Sequence, residues 1–266
     1  MVRRKLESSR YARLLSHIFK TVWTKGATIA EFERAEIERA AKKLRMTLPK
    51  NLGDVIYSYR YRGTQSESIQ STAPNGKEWI IVGTGPGKYA FKLVRVNRIV
   101  PDPSYLPIKV PDATPEIIGQ YAMSDEQALL AKVRYNRLVD IFLGITTYSL
   151  QNHLRTTVKG LGQIEIDEIY VGLDRSGAQY VIPVQAKGGD DQLSVVQTVQ
   201  DVRCCKAKFP DLDCRPVSAQ FLAPNHIALF ELALSGEEVR IVDQRHYQLT
   251  AAADITADDL SRYRAR

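Results

Sequence analysis

The chain of 266 residues is predicted to be an α/β protein, a mixed sheet flanked by helices, preceded by a small domain of three helices and a hairpin. Three observations give that class. Apolar residues recur at steps of three and four as far as Tyr59, the spacing of amphipathic helices. Two alternating runs between Lys77 and Val96 are separated by glycines. A second pair of alternating runs, from Gln163 to Lys187, leads into a helical segment and further β-rich runs. Charge divides along the same line: residues 1–110 hold 21 Lys and Arg against 9 Asp and Glu, net +12, and residues 111–266 hold 16 against 21, net −5.

In the first part, Tyr11, Leu14, Leu15, Ile18, Phe19 and Val22 make Ser9–Val22 a helix. Thr28 then caps a second helix predicted to run through Leu44, with Phe32, Ala35, Ile37, Ala40 and Ala41 on its buried side. Asn51 caps a third, carrying Leu52, Val55, Ile56 and Tyr59. After a Gln/Ser/Thr-rich stretch, Lys77–Val82 and Lys88–Val96 read as strands joined by Gly83-Thr84-Gly85-Pro86-Gly87. Three helices followed by a hairpin match a winged helix-turn-helix, with the third helix in a DNA groove and the hairpin as wing. Tyr57, Ser58, Arg60, Tyr61 and Arg62 supply guanidinium forks and hydroxyls suited to bases and phosphates, with Lys88 and Lys92 on the wing. Pro101, Pro103, Pro107, Pro111 and Pro115 suggest a stiff linker, giving domains of 1–110 and 111–266.

In the second part, Asp125–Leu143 and Tyr148–Val158 are expected to be helices, then Gln163–Val171 and Gln179–Lys187 strands around the turn Arg175-Ser176-Gly177. Leu193–Lys206 is expected to be helical, followed by strands near Cys214–Leu222, Ile227–Leu234 and Val239–Val242. Side chains alternate along a strand. Glu165 and Asp167 therefore share one face, as do Gln185 and Lys187, while Glu168 points to the other. If the two strands are neighbours, a carboxylate, an amide oxygen and a lysine converge, a set suited to a hard divalent cation. The alternative is a plain cross-strand ion pair, worth at most about 1 kcal/mol when exposed; Ile164, Ile166, Ile182 and Val184, burying the other face, favour the functional reading.

Ile166-Asp167 followed by Gln185-Ala186-Lys187 resembles the signature of the PD-(D/E)XK nuclease superfamily, in the Gln-x-Lys variant of some restriction endonucleases. The resemblance spans about residues 120–222, with Ile166 in place of the motif's proline and Gln185 in place of its second acid. It implies a type II restriction endonuclease-like enzyme, dependent on Mg²⁺ and acting on double-stranded DNA as a homodimer. It implies that Asp167, the Gln185 oxygen and the Ala186 carbonyl hold the metal, that Lys187 activates water and stabilises charge, and that Glu165 is a further catalytic candidate. Gln197, Gln200, His153 and Arg155 are weaker candidates for DNA or site contacts. Two alternatives stand beside it: a structure-selective repair or junction-resolving nuclease, and a non-catalytic winged-helix regulator.

Composition narrows the rest. A chain 44% hydrophobic and 25% charged is neither disordered nor collagen-like, and it contains no internal repeat. No apolar run approaches the roughly 18 residues of a membrane span, and the basic start is not followed by a signal-peptide apolar block, so a cytoplasmic protein without membrane contact is expected. Cys204, Cys205 and Cys214 have neither zinc-site spacing nor the even count of a disulfide framework.

Overall fold

The computed structural model describes residues 2–61, 66–95, 99–121, 126–158, 162–188, 193, 195–223, 225–236 and 238–264. They form two compact units, Met1–Arg98 with Thr157–Gln163, and Ile99–Thr156 with Ile164–Arg266.

The first unit runs α1 (Val2–Val22), β1 (Ile29–Glu33), α2 (Arg34–Lys43), α3 (Gly53–Tyr61), α4 (Glu67–Gln70), β2 (Lys77–Gly85) and β3 (Lys88–Arg95). Its sheet has the order β1-β3-β2, with antiparallel pairing at both steps. The helix expected from Thr28 to Leu44 is instead a strand followed by a helix. Ile29-Ala-Glu-Phe-Glu alternates with period two, burying Ala30 and Phe32, and the helix starts only at a capping box in which Glu33 N donates to Glu36 Oε2 at 2.5 Å. Asn51 caps as expected, its Oδ1 accepting from Gly53 N at 3.0 Å. At the hairpin, Gly87 takes φ +68°, a conformation open to glycine, and the register slips between Gly83 and Gly85. Phe19 packs its ring 5.0 Å from both Trp79 and Phe91, joining α1 to the sheet across a core that includes Leu14, Ile37, Val55 and Tyr59.

The second unit contains β4 (Ile108–Pro111), α5 (Glu116–Tyr121), α6 (Glu126–Tyr135), α7 (Leu138–Leu143), β5 (Thr146–Val158), β6 (Gly162–Leu173), β7 (Gln179–Lys187), α8 (Val195–Lys208), β8 (Asp213–Cys214), β9 (Val217–Ala223), β10 (His226–Ser235), β11 (Glu238–Thr250) and α9 (Ala257–Arg264). These make a mixed sheet of order β4-β11-β10-β9-β7-β6-β5, with β8 beside β7, flanked by helices. The proline-rich segment belongs to this unit: Ile99 bridges Leu193, and β4 pairs in parallel with β11. The packing boundary therefore falls at Arg98/Ile99, short of residue 110.

Two more expectations are corrected here. Residues 126–143 form two helices because Arg137 takes φ +50° and the Asn136 side chain bonds Ala113 N, Thr114 Oγ1 and Lys132 O at 2.7–2.9 Å, drawing the backbone out of the helix. Residues 146–158 are a strand, not a helix; Tyr148, Leu150, Leu154 and Val158 all fall on even positions, and the threonines favour extended backbone. The strand Gln179–Lys187 lies where expected. It turns from β6 through Asp174, whose Oδ1 accepts from Ser176 N and Ala178 N and whose pKa is lowered to about 2 chiefly by the Ser176 hydroxyl. One face of the sheet packs Leu129, Leu130, Val133 and Leu138 against Val184 and Ala186; the other carries Ala228, Phe230 and Leu232 with Leu193. None of the described helices is long and apolar enough to cross a membrane.

Candidate active site

β6 and β7 pair antiparallel from Leu173↔Gln179 to Glu168↔Val184. One residue further along β6, the side chain of Asp167 meets the neighbouring backbone, Oδ2 accepting from Ala186 N at 2.9 Å. β7 pairs on its other side in parallel with β9, reached through the crossover helix α8. Since Val184 and Ala186 belong to the core beneath α6 and α7, Gln185 between them points the other way, toward α8.

There Gln185 is 4% exposed, and its Nε2 donates to Asp201 Oδ2 at 2.8 Å and to Glu165 O at 3.3 Å. Its Oε1 accepts from Gln197 Nε2 at 2.5 Å. Lys187, at the end of β7, donates to Glu126 Oε1 of α6 at 2.8 Å, and its side chain is 14% exposed. Asp167, Gln185, Lys187, Glu126, Asp201 and Gln197 are thus gathered at one end of β7.

Burial dominates the electrostatics. It raises the Asp167 pKa above the usual carboxylate value, against the Ala186 N–H and the Lys187 charge, which lower it. Asp201 is pushed well above its ordinary value by complete burial, with the Gln185 hydrogen bond opposing and the Asp167 charge adding. Among the described residues Asp201 Oδ1 has no hydrogen-bond partner, an arrangement that favours a proton or a cation there. Among the described residues no cluster of three His, Cys, Asp or Glu side chains could hold a metal. A divalent ion at this place therefore needs neutral oxygens beside the Asp167 and Asp201 carboxylates, and Gln185 Oε1 and the Ala186 carbonyl are of that type. The donor chemistry fits a hard cation.

Other candidates are placed elsewhere. Glu165 turns to β5, within 3.2 Å of His153 Nε2 and 3.3 Å of Arg155 Nε, with its backbone oxygen alone touching Gln185. His153 and Arg155 are therefore strand residues facing Glu165. Glu168 lies on the opposite face, fully buried, held by Arg134 Nε at 2.8 Å and Ser149 Oγ at 2.6 Å. Lys88 lies 3.9 Å from Glu33, and Lys92 stands in β3 opposite Ile29 and Ile80. Tyr57, Ser58, Arg60 and Tyr61 fall within α3, but their side chains, like the whole of Arg62, lie outside the described residues.

Glu126, Asp201 and the role of Gln197 escaped the sequence reading. Asp201 carried a signal: it stands with Thr198, Val202 and Cys205 on the buried stripe of α8, where a carboxylate needs a partner. No protein family model, no curated protein and no solved structure matches the chain.

Proposed function

We propose that the protein is a Mg²⁺-dependent DNA endonuclease of the PD-(D/E)XK type, restriction endonuclease-like, with a winged-helix unit that binds DNA. The observation that carries the reading is the convergence of Asp167, Gln185 and Lys187 where β6 and β7 meet, with Asp201 behind Gln185. The connection β6-β7-α8-β9, an antiparallel pair followed by a right-sized crossover to a parallel neighbour, supports it. In the first unit, the order α1-β1-α2-α3-α4-β2-β3, in which the one-turn α4 precedes the hairpin and β1 edges a three-stranded sheet, supports the winged-helix part, as does the net +12 charge of residues 1–110.

In this reading Asp167 and Asp201, with the Gln185 and Ala186 oxygens, would hold the cation, which would supply Lewis acidity. Lys187, held in place by Glu126, would neutralise charge that builds on the phosphoryl oxygens. Asp201 fixes the Gln185 amide, and Gln197 steadies its oxygen side. Cutting both strands of a duplex needs two such sites, so a homodimer on a two-fold site is part of the proposal. Its test is digestion of duplex DNA with Mg²⁺ or EDTA by the parent and Asp167→Ala: the variant should retain DNA binding and lose cleavage. Binding by the parent without cleavage would favour a regulator.

A further inference from the structure

The first unit holds a cleft of about 510 Å³, bordered by α1, by Leu44 beyond the end of α2 and by Ser66–Ser68 at the start of α4. Arg13, His17 and Lys20 line it at i, i+4 and i+7, so they stand on one face of α1 over two turns. The ion pairs that are described in this unit, Arg39–Glu36 and Lys88–Glu33, leave all three aside. Beside them runs a chain of hydroxyls: Ser16 Oγ donates to Ala12 O at 2.7 Å and lies 2.5 Å from Ser66 Oγ, which lies 2.9 Å from Ser68 Oγ.

Proton counting shows what this chain can do. A serine has one O–H to give. Ser16 spends its proton on Ala12 O, so Ser66 supplies the proton between Ser66 and Ser16, and Ser68 supplies the one to Ser66. Ser68, the exposed end, can redirect its proton to an incoming acceptor without breaking the other two bonds. Among the described residues Arg13 and Lys20 make no ion pair, and with an imidazole and a redirectable hydroxyl they give an open cleft a donor-rich lining, the complement of a tetrahedral oxyanion. Among the described lining residues Glu67 is the one acid, and it works against an anion.

The geometry points to a phosphate-binding site on α1, built from Arg13, His17, Lys20 and Ser68. This goes beyond the nuclease reading, which assigns DNA contacts to α3 and the hairpin, and it does not depend on any metal. The phosphate is either a diester of the nucleic-acid backbone or a free one such as that of a nucleotide; the volume, within the roughly 300–1,000 Å³ of small-molecule sites, admits both.

The test uses the full chain in EDTA, so that loss of cleavage has no bearing on it. Arg13→Gln/Lys20→Gln is compared with Lys42→Gln/Lys43→Gln, which removes the same charge from exposed positions at the end of α2, and with Glu67→Gln. All these side chains are exposed, so folding, checked by circular dichroism, should be kept. One arm titrates a labelled duplex over a range of salt. The α1 double variant should lose about tenfold or more in affinity and lower the salt slope by about two, the share of two phosphate contacts, whereas the α2 variant should change less and Glu67→Gln should bind tighter. The other arm titrates inorganic phosphate and a mononucleotide by calorimetry. Binding by the parent, lost in the α1 variant and kept in the α2 variant, supports the site with a free phosphate as occupant. If the α1 and α2 variants behave alike with the duplex and neither small probe binds, the inference is overturned.

Discussion

Gln185 Nε2 lies 2.8 Å from Asp201 Oδ2, and both side chains are almost fully buried. An amide on β7 is thus backed by a carboxylate on α8. The pair is complementary, since the amide donates and the carboxylate accepts. Replacing the amide with an acid would place two buried carboxyl groups in contact.

Gln185→Glu should therefore destabilise the metal-free protein and bind Mg²⁺ more tightly, since a cation relieves the repulsion between the two acids. Gln185→Glu/Asp201→Asn restores one amide and one acid and should return the metal-free melting temperature toward the parent. Gln185→Leu should be inactive. Thermal melts with and without Mg²⁺ on all three check this; a leucine variant with the parent's activity and metal dependence would remove Gln185 from the site.

Lys187 and Glu126 should act as a unit. Lys187→Ala is expected to abolish cleavage with DNA binding largely kept. Glu126→Gln leaves a hydrogen-bond acceptor but removes the charge, and a fall in cleavage of about 10- to 100-fold is expected, mainly in kcat. The check is single-turnover cleavage beside a gel shift on the same preparation.

Dependence on pH has two signs. Asp174 is lowered to about 2, so its stabilising share is fully present above its ordinary value of 3.8 and is lost as pH falls toward 2. Asp167 and Asp201 are raised by burial, so what they contribute to metal-free stability is present below 3.8 and lost as pH rises through their raised values. Asp201→Asn should accordingly flatten the alkaline side of the stability curve in EDTA, and Asp174→Asn the acid side, as read by melts from pH 3 to 9.

On the other face of β6, Arg134→Ala would leave Glu168 buried without its cation. We expect a loss of about 3 kcal/mol, the lower end for a broken buried pair, because a third of Arg134 remains in water (33% exposed). Glu168→Gln, which needs no cation, should suffer less. Urea midpoints at pH 7 measure both.

Much of this was legible in the residues. The strand over 179–187 emerges because a glycine turn and an alternating run agree, and the placement of Asp167 against Ala186 follows from it. Segments that satisfy two periods are ambiguous in sequence. Phe32 fits both a helix with Ile37 and a strand with Ala30, and only pairing with β3 decides between them. The segment Tyr148–Val158, expected as a helix, carries Tyr148, Leu150, Leu154 and Val158 at alternating positions, and its place beside β6 is a tertiary fact. The break at Asn136 depends on acceptors and donors from residues 113–114, some twenty positions away. Glu126 was invisible for the same reason: its meeting with Lys187 spans sixty-one positions and has no local pattern.

Cleavage of a pooled plasmid library by the parent, Asp167→Ala and Lys187→Ala decides whether the end of β7 is a metal-dependent phosphodiesterase site. The parent should cut with Mg²⁺ and not with EDTA, sequenced ends should share one short motif, and neither variant should cut while both still bind duplex. Cleavage by either variant at the parental rate, or no Mg²⁺-dependent cleavage by a parent that is folded and bound to DNA, would contradict it.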